Sequence, residues 1–443
     1  MIKAYHILRG FFKDQSNSGI AIFVSVLVAM AWANSPWQEL YRSMVNMEIS
    51  VGVAGFSLSE PFLVWVNDLL MAIFFLYVGL ELKRELLGGE LSSFKKAVLP
   101  IGAAIGGMVF PAIIYTIFNA NTDATQGWGI PMATDIAFAL GVLSMFGKRV
   151  PSSLKVFLVA LAIVDDLGAV LVIALFYTSE IAAMDLFHGF LFFLLLVGGS
   201  FVGIRNPWFY AIVGIGGVWL AFFFSGIHPT TAGILTAIAI PGRVKIKEGE
   251  YLKKLQKLYL RFLEASPIKG SFISEEQLGI LEEIKQRSND AETPLQKMEH
   301  RLAPIVGFFI LPLFALVNTG IHIHGNLLET LSQPVSLGIF FGLVAGKSIG
   351  ILSGSWLLVK LKVAELPEGT NWRMVSAVSV ISAIGFTMSL FITELAFVDE
   401  AYIFTAKVSI LFTSVLAGIV GSFLLWSSLR QKGRPVHLSR TPL

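Results

Sequence analysis

The sequence predicts an all-α polytopic membrane protein with about twelve transmembrane helices, and three observations carry that prediction. Of the 443 residues, 55% are hydrophobic and 14% charged, with a mean hydropathy of +0.73. A soluble domain is about 25% charged. A soluble chain this long would divide into about three domains, and this one lacks the polar side chains to cover three surfaces. The charge is also uneven: residues 243–301 hold 22 of the 63 charged side chains. The chain therefore reads as a membrane body with one polar insert. Lastly, runs of ~20 apolar residues, the length that crosses a ~30 Å hydrocarbon core, recur along the chain.

Twelve such stretches are 19–34, 61–82, 96–118, 128–147, 151–177, 185–203, 207–223, 226–241, 303–322, 335–359, 373–393 and 401–428. They divide the chain into an N-terminal cytoplasmic segment 1–18, helices one to eight in 19–242, a cytoplasmic helical insert 243–302, helices nine to twelve in 303–428, and a cytoplasmic tail 429–443. With the N-terminus inside, thirty of the 33 Lys and Arg residues fall on the cytoplasmic side, Lys3, Arg9, Lys13, Lys83, Arg84, Lys148, Arg149 and Lys432 among them. Only Arg42 lies in an outside loop, and Lys347 and Lys407 lie within spans. This is the bias of the positive-inside rule, and it fits an even number of spans.

The first stretch, ending in Ala31-Trp32-Ala33, has some features of a cleaved signal peptide. Its charged leader is long for one, and many spans follow, so it reads as a span. Residues 45–59 alternate around Gly52 and Gly55, which suggests a small external hairpin, with an ordinary loop as the equal alternative. In the insert, Leu252, Leu255, Leu258 and Leu263 lie near one helical face beside Lys253, Lys254 and Lys257. That face suits attachment to a membrane surface, and a solvated charged linker is the alternative. Ser274 and Gln277 have capping-box form, and Thr293-Pro294 reads as a further helix start.

Charges at membrane depth are costly, ~2.5–3.5 kcal/mol each on insertion scales, and mark function. Asp165 and Asp166 sit deep in the fifth span. Helical neighbours point about 100° apart, so both can line one cavity. Carboxylate oxygens in a narrow dry site suit a hard cation or protons, which would compete for them. A structural pairing with basic residues is the bland alternative. Pro131 just before Thr134-Asp135 suggests an interrupted fourth span, with carbonyls and helix ends exposed to an ion. Alternatively, Thr134 caps a short helix and Asp135 follows in its first turn. Gly385 and Thr387, after Ser376, Ser379 and Ser382, suggest a second interruption in span eleven. Each interrupted span is the middle member of three. Gly338, Gly342, Gly346, Gly350 and Gly354 recur every four residues in span ten, so another backbone must approach that face closely. Lys347 lies on the same span near mid-membrane and needs a carboxylate partner or must lose its proton; Asp165 and Asp166 are the candidate partners.

At the cytoplasmic mouth, Glu81, Arg84 and Glu85 share one helix face at i, i+3, i+4 spacing. Glu299 and His300 begin span nine, and histidine titrates near neutral pH. A solvated helix end accounts equally for the first group, and a tolerated helix-start histidine for the second. His228, beside Pro229, is a weaker signal of the same kind.

Taken together, these segments resemble the NhaA-type sodium/proton antiporter family of bacterial inner membranes. The strings that carry the resemblance are VGLELKREL at 78–86, PMATDIAFALGVL at 131–143, VALAIVDDLGAV at 159–170, SGIHPTTAG at 225–233, ILPLFALVNTGI at 310–321, AGKSIGI at 345–351, LPEGTNW at 366–372 and ISAIGFTMSLFI at 381–392. The resemblance implies inverted repeats whose two interrupted helices, the fourth and eleventh, cross. It implies that Asp165 and Asp166 form the Na+/H+ site with Thr134 nearby. Asp135 and Lys347 would compensate the dipole ends, with Lys347 also pairing Asp165. Glu81, Arg84, Glu85, Glu299 and His300 would form a pH-responsive cytoplasmic funnel, and the 45–59 hairpin would hold a homodimer. The long 243–296 connection departs from the short family pattern, so no pH-related charge is assigned within it.

The expected activity is electrogenic, pH-regulated export of Na+ or Li+ in exchange for protons by alternating access, with no cofactor and no enzyme chemistry. Expected partners are the lipid bilayer and a second copy. A net charge of +3 without a basic reading surface excludes nucleic acid, and no P-loop is present to bind a nucleotide. Cysteine is absent, which removes disulfides, Fe–S clusters and thiol catalysis. The competing readings are a sodium-coupled solute symporter, separable by flux without solute, and an intramembrane aspartyl protease. A protease needs its two aspartates on opposite sides of a peptide bond, and here they are adjacent.

Overall fold

The apolar stretches become helices because a helix satisfies its backbone polar groups within one segment in hydrocarbon, and the breaks fall where Pro, Gly and capping residues permit them. The computed structural model describes residues 17–53, 56–178, 182–265, 272–323 and 326–431. Most of the expected N-terminal segment and C-terminal tail, with Lys3, Arg9, Lys13 and Lys432, lies outside the described residues, as does Gly55 of the hairpin. In chain order the helices are α1 (Ser18–Ala33), α2 (Gln38–Val45), α3 (Phe62–Gly88), α4 (Phe94–Asn119), α5 (Ile136–Met145), α6 (Ser152–Phe176), α7 (Ala183–Val202), α8 (Pro207–Ser225), α9 (Thr231–Ala239), α10 (Glu248–Glu264), α11 (Glu275–Ala291), α12 (Pro294–Asn318), α13 (Leu327–Ser332), α14 (Pro334–Lys360), α15 (Trp372–Ile381), α16 (Phe386–Ala396) and α17 (Glu400–Gln431). A 3₁₀ segment, Asp123–Met132, precedes α5.

Among the described residues, eight helices are long and apolar enough to cross a bilayer, and three bent pairs raise the number to eleven. The pairs are α1 with α2, the 3₁₀ segment with α5 (41° bend), and α15 with α16 (46° bend). The stretch at 226–241 is shorter than its hydropathy suggests. Gly226 takes a left-handed φ of +81°, Pro229 follows, and only the nine residues of α9 are helical. β1 (Glu48–Val53) and β2 (Phe56–Pro61) pair antiparallel, Ser50 opposite Ser59, forming the expected hairpin.

The glycine ladder of α14 meets α4. A Cβ at Gly346 would lie 2.8 Å from the Pro111 Cα, and one at Gly350 or Gly354 would strike the Gly106 or Gly102 carbonyl. Only glycine permits this backbone contact, which seats α14 and its lysine deep in the body. A π-turn at Gly342–Lys347 resets the helix just where Lys347 points inward.

The polar insert folds as the antiparallel α10–α11 pair around Leu258, Ala265 and Ile280. Arg261 meets Glu283 at 3.1 Å, and Ser274 and Gln277 complete a capping box. Thr293 and Gln296 complete a second one, from which α12 runs unbroken into the membrane body. The third insert helix and the ninth span are thus one helix rather than two elements meeting near 302.

Candidate ion-binding site

Pro131 cannot donate a backbone hydrogen bond and ends the 3₁₀ segment; Ala133 and Asp135 are extended before α5 begins. On the other side, α15 stops at Ile381 and α16 starts at Phe386. The two breaks touch. Asp135 N donates to Ile384 O at 2.7 Å, and Ser389 Oγ donates to Ile130 O at 2.8 Å. A Cβ at Gly385 would lie 3.1 Å from Ala133 O and would fall on the Ser389 hydroxyl, so a larger residue would push the breaks apart.

Asp135 joins the two helices that leave this crossing. Its Oδ1 accepts from Phe138 N at 3.0 Å, capping α5. Its Oδ2 accepts from Thr387 N at 3.1 Å and Thr387 Oγ1 at 2.6 Å, holding the start of α16. One carboxylate thus faces two positive helix ends. The cap of α5 is Asp135 itself, not Thr134. The Thr134 hydroxyl instead donates to Asp165 Oδ2 at 2.7 Å, with Ser382 O at 3.1 Å as a second acceptor.

Asp165 and Asp166 lie midway along α6, each 1% exposed. Lys347 Nζ sits 2.7 Å from Asp165 Oδ2, both side chains wholly buried. The same ammonium donates to Met132 O, the carbonyl end of the 3₁₀ segment. The Oδ1 atoms of both Asp165 and Asp166 are buried with no hydrogen-bond partner among the described residues, but only Asp165 has its other oxygen held by Lys347 and Thr134, and Asp166 is the one open to a cavity. It lines a cavity of about 90 Å³ together with Thr134, Asp135, Thr387, Tyr77 and Glu81. Among the described residues, no three His, Asp or Glu side chains converge into a set that would hold a resident metal ion.

Beyond this cavity, Arg84 gathers the acids. It lies 3.9 Å from Glu81 and 2.9 Å from Glu85, and it pairs with Glu299. Glu299, in the second turn of α12, is 4% exposed. His300 is exposed and adjoins the cluster only as the chain neighbour of Glu299. His228 places a ring nitrogen 2.5 Å from Tyr177 O, beside the end of α6.

Three arrangements involve polar groups, most of them half-buried, that sequence reasoning did not assign. Lys83 Nζ donates to Ile238 O (2.6 Å) and Ile240 O (2.5 Å), closing the carbonyl end of α9. Glu394 and Lys407 pair at 2.5 Å, each 16% exposed. Asn67 and Asn318 exchange side-chain hydrogen bonds of 2.8 and 3.2 Å between α3 and α12. The available signals were a second cation inside VGLELKREL, an acid one residue past the eleventh stretch and a lysine inside the twelfth.

Eight to eleven apolar crossings among the described residues, two broken spans joined backbone to backbone, and buried carboxylates beside a buried lysine define a multi-pass membrane transporter for a small cation. The comparisons narrow the class. The model of the family described as Na+/H+ antiporter 1 matches residues 9–425. An Na(+)/H(+) antiporter NhaA of Oleidesulfovibrio alaskensis is 45% identical over 425 residues, 95% of this chain and 94% of the relative. An Na(+)/H(+) antiporter NhaA 2 of Syntrophotalea carbinolica is 44% identical, covering 96% and 97% of the two chains. An Na(+)/H(+) antiporter NhaA 1 of Clostridium beijerinckii is 45% identical over 93% of each. This chain belongs to the Na+/H+ antiporter 1 family and is a secondary transporter rather than an enzyme. The 243–302 insert does not set it apart in length from these relatives.

Proposed function

We propose that this chain exchanges intracellular Na+ or Li+ for external protons across a bacterial plasma membrane, with Asp166 as the carboxylate that carries either ion. The observation that supports this most is the buried Asp166 oxygen without a hydrogen-bond partner among the described residues, facing a cavity that reaches Glu81. A desolvated carboxylate must be neutralised by a proton or a cation, and either occupant excludes the other. The Asp165 carboxylate and the Thr134 hydroxyl lie beside it and supply further hard oxygens. The exchange is electrogenic when Asp165, parted from Lys347 in the proton-loaded state, gives up a second proton beside that of Asp166 for one Na+, so that a net charge crosses in each cycle.

Asp135 and Lys347 keep the crossing charge-balanced while it moves. The carboxylate offsets the amino ends of α5 and α16, and the ammonium offsets the carbonyl end of the 3₁₀ segment. Alternating access follows when the broken pair shifts against α6 and opens the cavity to one side at a time. The Arg84 cluster of Glu81, Glu85 and Glu299, with His300 beside it, forms the cytoplasmic pH-responsive mouth, and both termini face the cytoplasm. The β1–β2 hairpin offers unpaired outer edges for a second copy, supporting a homodimer through residues 45–59. The test is dissipation of a pH gradient in reconstituted vesicles on adding Na+, Li+ or K+. Na+ and Li+ collapse the gradient and K+ does not; a gradient collapsed equally by K+ would overturn the selectivity assigned to this site.

A further inference from the structure

The body has a second recess on its lipid-facing flank. It is an apolar groove of about 460 Å³ between α1, α5, α16 and α17. Its floor is made by Phe138, Ile384 and Phe386, residues of the two broken spans, with the Phe138 and Phe386 rings edge to face at 5.1 Å. Its rim is open to the side: Phe23 is 46%, Val415 56% and Ile419 64% exposed. Gly418 and Ser422 place the groove along the middle and latter half of α17. Water there would find almost no hydrogen-bond partners, so a hydrocarbon chain is the filling.

The polar end of that occupant follows from the chain path. Ser153 Oγ donates to Glu368 O at 2.6 Å, so the start of α6 and the loop before α15 share one end of the body. Gly418 faces Ile384 and Gly421 faces Ile381, so α17 runs antiparallel to α15 and α16 and finishes at that same end. Exposed Lys148 and Arg149 follow Met145 of the groove there, and Arg430 stacks on Trp426 at 3.7 Å, two turns beyond Ser422. Three cations thus stand at one mouth of an apolar slot.

We propose that the groove binds an anionic phospholipid of the bilayer, its acyl chain lying against the crossing and its phosphate meeting Lys148, Arg149 and Arg430. The chain packs on Ile384, whose carbonyl accepts from Asp135 N, so occupancy braces the crossing from the side.

The test uses the full-length protein in phosphatidylcholine nanodiscs, with phosphatidylglycerol or phosphatidylcholine carrying a photoreactive diazirine in the acyl chain. Mass spectrometry reads labelling at Val142, Val415 and Ile419 against Phe190 and Leu194, exposed apolar residues of α7. Phosphatidylglycerol labels the groove over α7 by about fivefold, the factor one basic residue at a membrane surface contributes, and phosphatidylcholine does not. A Cβ at Gly418 has room, with Ile384 Cδ1 at 3.7 Å. Gly418→Phe fills the slot and removes the groove labelling, while the α7 labelling stays. Val415→Trp repeats this if the first variant fails to fold. Lys148→Gln with Arg149→Gln removes the headgroup preference. Even labelling of groove and α7, or equal labelling by both lipids, would overturn the proposal and leave ordinary surrounding lipid.

Discussion

Replacing Lys347 by Gln removes the cation from an ion pair in which both side chains are wholly buried and N and O are 2.7 Å apart. At an effective dielectric of 20, two unit charges at that separation attract by about 6 kcal/mol. Desolvation of the two charges offsets most of that attraction, so the pair's net contribution is far smaller. The measurable quantity is the cost of stranding one member, about 3–5 kcal/mol. The surrounding bonds decide where the loss falls. Lys347→Gln also frees Met132 O at the end of the 3₁₀ segment, and it leaves Asp165 Oδ2 with only the Thr134 hydroxyl at 2.7 Å. Asp165→Asn strands the ammonium instead. The double substitution removes both charges and strands neither, so the double variant loses less than the sum of the two single losses, by a coupling of about 3 kcal/mol. Heat unfolding of all four proteins in the same nanodiscs at one pH measures this. Apparent sodium affinity falls in Lys347→Gln as well, most at low pH, where protons compete best. Additive losses, with no recovery in the double variant, would refute the pairing as a stabilising element.

Asp135→Ala uncaps both α5 and α16 and strands the buried Thr387 hydroxyl. It loses about 3 kcal/mol of thermal stability, whereas Asp135→Asn, which keeps an acceptor oxygen, loses less than half of that. Arg84→Gln takes the shared cation from Glu81, Glu85 and Glu299. Its transport profile, followed by vesicle ΔpH across a pH series, moves to more alkaline pH while exchange persists. Deleting 250–290 leaves exchange measurable and alters only its pH dependence or expression, because the contacts of Lys83 and Arg84 lie outside the deletion. A folded deletion variant inactive at every pH would place the insert in the transport machinery.

Features written locally were legible in the sequence. The four-residue glycine period of span ten demanded a close backbone, and α4 supplies it through Gly102, Gly106 and Pro111. The depth of Asp165, Asp166 and Lys347 marked them because a charge there is costly. Pro131 and Gly385 announced the two breaks. What remained hidden depends on partners distant in the chain. Asp135 reads as a local helix-start residue, and its second role rests on Thr387, 252 residues away. Lys83 sits beside Arg84 in sequence, yet the helix turns it to the carbonyl end of α9, 155 residues away, while Arg84 faces the acids. Hydropathy counted 226–241 as a span because it weighs transfer and not conformation. The left-handed Gly226 and Pro229 shorten the helix to nine residues. His300 and Glu299 are chain neighbours, but the helix buries one and exposes the other.

The central claim is that one carboxylate, Asp166, binds sodium and protons in turn. Calorimetry of Na+ binding to the purified protein, run at one pH in two buffers of different ionisation enthalpy, counts the protons released. The native protein releases protons as it takes up sodium, and Asp166→Asn, still folded, binds no sodium and releases none. Sodium binding by Asp166→Asn with its proton release intact would contradict the account.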